Sequence, residues 1–105
     1  MGGTNQKNLD ISNATGRIHQ NNGEVHIHDD KNSMKVAVPV AEFMKLFGAW
    51  KDAPIQPLIL IDSSSRTQAI ISMKAVNNEM DVDIKLAPVK LGKNLQALVD
   101  FADGK

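Results

Sequence analysis

The sequence predicts an α+β fold in the order βββα–βββα, antiparallel meanders with two helices packed on one face. Three observations predict it. Runs of period-two alternation are separated by Asn, Asp and Gly residues suited to tight turns. Pro39 and Pro88 each stand where such a run gives way to apolar residues at helical spacing. A single register over residues 66–87 also gathers nearly all the apolar side chains of two strands on one face.

Residues 1–14 read as a flexible tail ahead of one domain at 15–105, since Gly, Asn and Thr predominate there. Leu9 and Ile11 are its residues fit for burial, and the alternative is an edge strand or a dock on a neighbouring subunit. Strands at about 16–20 and 24–29 form a hairpin around Asn21-Asn22-Gly23, whose residues tolerate the positive φ of a tight turn. A loop at Asn22-Gly23 sets Ile18 against Ile27 and His19 against His26. A loop at Asn21-Asn22 sets Ile18 against Val25 instead. Either way Arg17, His19, Glu24, His26 and His28 share the opposite, wet face.

A third strand at about 34–38 follows a polar turn; with Asp30-Lys31 as the loop, Ile27 meets Met34 and Val25 meets Val36. From Pro39 to about Lys51 the period becomes helical, with Val40, Phe43, Met44, Leu46, Phe47 and Trp50 on one arc. Pro54 and Pro57 end that helix. The unbroken apolar run Leu58–Ile61 reads as a strand, about 58–62, buried on both faces. Strands at about 66–76 and 79–87 pair through Asn77-Asn78. That register sets Met73 against Val82, Ile71 against Ile84 and, on the reverse face, Lys74 against Asp81 and Ser72 against Asp83. Leu91, Leu95, Leu98, Val99 and Ala102 recur at helical spacing and predict a second helix at about 92–103, with Asn94 as a candidate N-cap and Gly104 as a stop. The two halves share a Val-Pro or Ala-Pro junction, which suggests duplication, but their side chains scarcely match.

The composition narrows the function classes. Twelve basic and twelve acidic residues give a formal net charge of zero, so there is no global electrostatic footprint for nucleic acid or anionic lipid. Cysteine is absent, which excludes disulfides, thiol chemistry and Cys-ligated zinc. No apolar run approaches the roughly 20 residues of a membrane span, and the first residues lack the apolar core of a secretory leader. A cytoplasmic protein without a cofactor is the expectation. Asn13-Ala14-Thr15 has the form of a glycosylation sequon, which carries no weight without secretion.

Three residue sets could carry function. His19, His26 and His28 can face one another across the first hairpin and could hold zinc, nickel or copper with a fourth position open. The plainer account is three solvated imidazoles on a sheet surface. Arg66, Lys74, Lys85, Lys90 and Lys93 could form a basic track for nucleic acid, but no aromatic platform accompanies them. Phe43 and Trp50, at the edge of the helical arc, with Arg17 and Glu24 on the wet face, could contact a protein partner or a second copy of the chain. Asp62-Ser63-Ser64-Ser65-Arg66 lacks the Gly-x-Ser-x-Gly elbow of a nucleophile loop and reads as a turn. Asp81 and Asp83 are accounted for by Lys74 and solvent. No motif names a reaction, so a small non-enzymatic binding or accessory protein, self-associating as a homodimer, is the leading expectation.

Overall fold

A computed structural model describes residues 9–76, 79–87, 91 and 94–104. The chain order is β1 (Asp10–Ser12), β2 (Gly16–Asn21), β3 (Glu24–Asp29), β4 (Met34–Pro39), α1 (Val40–Lys51), β5 (Leu58–Ile61), β6 (Gln68–Val76), β7 (Glu79–Ile84) and α2 (Leu95–Ala102). This is the expected α+β succession with one strand added at the front. The strands form two antiparallel sheets, β1-β2-β3-β4 and β5-β6-β7.

The added strand takes in part of the expected tail. Ile11 lies opposite Ile18, and Leu9 and Ile11 are both buried. Burial of two aliphatic side chains is worth about 3–5 kcal/mol, enough to order a short edge strand. Residues 1–8 lie outside the described residues.

The first hairpin turns at Asn22 and Gly23, both with positive φ (52° and 77°), the geometry that tight two-residue loops need. Ile18 consequently faces Ile27, and His19 faces His26. The next pairing departs from expectation. Asp30–Ser33 form a four-residue turn, so Ile27 meets Val36, Val25 meets Val38 and Asp29 meets Met34. The buried Asp29 carboxylate causes the shift. It accepts hydrogen bonds from the Asn32 backbone N–H (3.1 Å) and Nδ2 (2.9 Å), an Asx arrangement that widens the loop. Met34 is displaced to a half-exposed position, while Val36 and Val38 fill the core.

Val40 begins α1 without a capping side chain; its N–H donates instead to the Gly23 carbonyl at 2.9 Å, tying the helix start to the first hairpin turn. Phe43, Phe47 and Trp50 are buried, and their rings run in sequence, Phe43–Phe47 at 5.5 Å and Phe47–Trp50 at 5.6 Å between centroids. Phe101 of α2 meets Phe43 at 6.0 Å. It is the residue the sequence reading left out of the second helical arc. With Leu98 it forms the buried side of α2.

In the second sheet the β6–β7 register is the expected one, Met73 with Val82, Ile71 with Ile84, Lys74 with Asp81. The strands are trimmed at their ends: Arg66 takes a φ of 63° in the preceding turn, and β7 ends at Ile84 rather than at 87. Asn77 and Asn78 lie outside the described residues. β5 is not buried on both faces. Leu58 and Leu60 turn inward, whereas Ile59 and Ile61 stand 48% and 50% exposed.

The two sheets meet at Asp62, just beyond β5. Its buried carboxylate accepts from the Ala37 N–H of β4 at 2.7 Å, and the Ser63 N–H donates to the Ala37 carbonyl at 3.2 Å. The second carboxylate oxygen accepts from the backbone N–H and the hydroxyl of both Ser64 and Ser65 at 2.7–3.0 Å. These donors, led by Ser65 and Ala37, hold the carboxyl far below the ordinary carboxylate range against the opposing cost of burial. The Asp-Ser-Ser-Ser run thus joins the halves as well as turning the chain.

Candidate metal centre

Strand parity builds the site. In β2 and β3 the residues between the buried Ile18, Val25 and Ile27 point away from the core. His19, His26 and His28 are therefore delivered to one face, His19 directly opposite His26 and diagonal to His28. The cross-strand row that holds His19 and His26 runs from Asp10 to Ala37, and the small Ala37 side chain leaves the imidazoles room.

One ring nitrogen of each histidine lies within 4.8 Å of the others. The three rings are nearly parallel, with centroids 5.0–6.1 Å apart and interplanar angles of 16–27°. His19 Nε2 and His28 Nε2 approach to 2.9 Å. Two imidazole nitrogens on one tetrahedral ion, each at about 2.05 Å, are about 3.3 Å apart, so this pair is already at coordination spacing. The widest pair needs to close by roughly 1.5 Å, within the reach of side-chain torsion.

The protonation pattern follows from the neighbours. Arg17 Nη2 lies 3.1 Å from His19 Nε2, and a guanidinium has only donors, so Arg17 donates and His19 Nε2 accepts. His28 Nε2–H then donates to the same His19 nitrogen. One lone pair thus faces two donors. His26 Nε2 sits 3.5 Å from a Glu24 carboxylate oxygen, with its side chain 12% exposed.

Burial pushes the His19 imidazole below its ordinary value near 6.5, and the charges of Arg17 and His26 add to this. For His28 burial again leads, followed by His19 and Arg17. Asp10 and Asp30 pull the other way and are outweighed. Both rings are thereby kept neutral, the form that ligates a metal.

The sign for stability follows. A folded-state value below the unfolded 6.5 means that the unfolded chain binds more protons between the two. Stability from this source is complete above pH 6.5 and falls as the pH drops through the lowered values. Metal-free protein should therefore melt at a lower temperature at pH 5 than at pH 7.5, and His19→Gln should flatten the slope. Thermal melts in a pH series check this, and equal midpoints across that window would contradict it.

The other sites expected from sequence fare differently. Phe43 and Trp50 are core residues, 1% and 8% exposed, not an open helix edge. Phe101 covers Phe43, and the linker holds Trp50, whose Nε1–H donates to the Gln56 carbonyl at 2.6 Å. Arg17 and Glu24 lie on the histidine face, beside the imidazoles. Arg66 and Lys85 are exposed, as is Lys74, which pairs with Asp83 at 3.2 Å. Arg66 precedes β6 while Lys74 lies six residues along it from Gln68, about 20 Å away. Lys90 and Lys93 lie outside the described residues. Among the described residues these cations form no continuous track. Sequence reasoning missed Asp62, although an Asp followed by serines two and three positions later is the pattern of such a turn.

No helix among the described residues is long and apolar enough to cross a membrane. No family model matches the chain, and no curated protein or solved structure matches it either.

Proposed function

We propose that this protein binds one divalent transition-metal ion, zinc, copper or nickel, through His19, His26 and His28. The observation that carries this reading is the convergence of three ring nitrogens within 4.8 Å on one sheet face. The donor set points to these metals. Three imidazoles without a carboxylate or thiolate suit borderline ions and disfavour magnesium and calcium, which require oxygen ligands. The neutral state of His19 and His28 supports the reading, because little proton displacement is needed near neutral pH.

The test is titration of metal-stripped protein with zinc, nickel and copper salts, followed by calorimetry and thermal melting. One ion per chain is expected, and at a hundredfold excess over Kd the fold gains about 2.7 kcal/mol. Magnesium should do nothing. Substoichiometric or absent binding of all three ions would remove the proposal.

A second reading, an accessory protein that pairs with another copy of itself, is favoured by a specific surface. Ile59 and Ile61 stand on the outer face of β5, and the half-buried Ile70 lies across from Ile59. Lys74 and Asp83 share that face. A two-fold axis would let the lysine of each copy meet the aspartate of the other. Native mass spectrometry at micromolar concentration should then give a dimer, and the double substitution I59K/I61K a monomer. A monomeric mass for the unaltered chain would dispose of it.

A further inference from the structure

We infer that the ion in this centre, resting on the metal reading above, presents its open position together with Arg17 as a site for a small monocarboxylate. Arg17 Nη2 sits 3.1 Å from His19 Nε2, on the side of its lone pair. An ion takes that lone pair at about 2.05 Å, in the direction the guanidinium now occupies, and so displaces the Arg17 fork from this acceptor to the edge of the centre. One carboxylate satisfies both groups. One oxygen fills the ion's open position at about 2.0 Å, and the other accepts from the displaced guanidinium at about 2.8 Å. Three imidazoles leave the fourth position of a tetrahedral ion unfilled by protein. The face is half-buried rather than sealed, so a ligand can reach it.

The local charge selects a single negative charge. Arg17 and Lys35 lie on the row that contains His28, while Asp10 and Glu24 flank His19 and His26 and Asp30 acts on His28. Two cations and three anions, set against a doubly charged ion, leave one positive charge to neutralise. A monocarboxylate supplies it. A phosphate dianion overshoots and meets repulsion from Asp10 and Glu24.

The test uses cobalt(II) in place of zinc, because its visible absorption reports ligand exchange. Sodium acetate titrated into cobalt-loaded protein should change the spectrum saturably, and R17Q should weaken acetate at least 10-fold without weakening cobalt binding. R17K, which keeps the charge but not the fork, should fall between. Inorganic phosphate should bind more weakly than acetate. Cobalt that fails to bind would sink the metal reading itself. Cobalt that binds with no acetate response, equal acetate affinity in R17Q, or tighter phosphate than acetate would overturn this inference alone.

Discussion

Replacing Asp62 with alanine is expected to lower the melting temperature by about 10–20 °C, the largest effect of any single polar substitution here. The carboxylate accepts three backbone N–H groups, those of Ala37, Ser64 and Ser65. The two serines can turn toward water. Ala37 cannot, because it is buried in β4 against the second sheet. One orphaned buried donor and the loss of a charged acceptor together cost about 3 kcal/mol. Asp62→Asn should lie between, since the amide keeps one acceptor oxygen and turns an NH2 toward donors.

The same residue sets an acid limit. Its folded-state carboxyl titrates well below the unfolded value of 3.8, so the stability it supplies is complete above that pH. It is lost as the pH falls toward the lowered folded value. Acid unfolding below pH 4 should be shallower in Asp62→Asn than in the unaltered protein. Thermal and acid melts of both variants decide the matter, and a midpoint within 2–3 °C of the unaltered chain would show that Asp62 does not join the halves.

His26→Ala should weaken zinc at least about 100-fold while leaving the metal-free fold close to its original stability. Loss of an outer-shell partner already costs 10–100-fold, and loss of a direct ligand exceeds it. His26 is the informative choice of the three. Arg17, His19 and His28 remain connected without it, whereas substituting His19 would break both of their contacts at once. The contact of His26 to Glu24 is long, at 3.5 Å, and its carboxylate side is 37% exposed, so solvent screens it and it is worth little. Calorimetry that finds unchanged zinc affinity in His26→Ala would mean that the ion, if bound, sits elsewhere. A large loss of metal-free stability would assign His26 to packing.

Much of this was legible from local chemistry. The Asn22-Gly23 turn and the alternation around it placed all three histidines on one face, and the charge pairing of β6 with β7 fixed their register. The misreadings have physical causes. The β3–β4 register depends on what the Asp29 side chain does in the following turn, which alternation alone does not report. Leu58–Ile61 is apolar at every position, so no pattern could tell its inner face from its outer one. Phe43 is covered by Phe101, far along the chain, and Trp50 by the linker that directly follows α1, whose path back over the indole no residue pattern reports. The strand at Asp10–Ser12 needs β2 to exist before its two aliphatic side chains have anywhere to go.

Trp50 is the one indole of a chain without tyrosine, so near-ultraviolet-excited emission originates from a single place. Its ring is buried between Phe47 and the chain leading to β5, with its N–H bound to the Gln56 carbonyl. A red shift on denaturation therefore marks solvent reaching the seat between α1 and that linker, while far-ultraviolet dichroism averages over the helices and strands of both halves. If both optical traces fall together, the halves unfold as one cooperative unit; separated traces would time their parting.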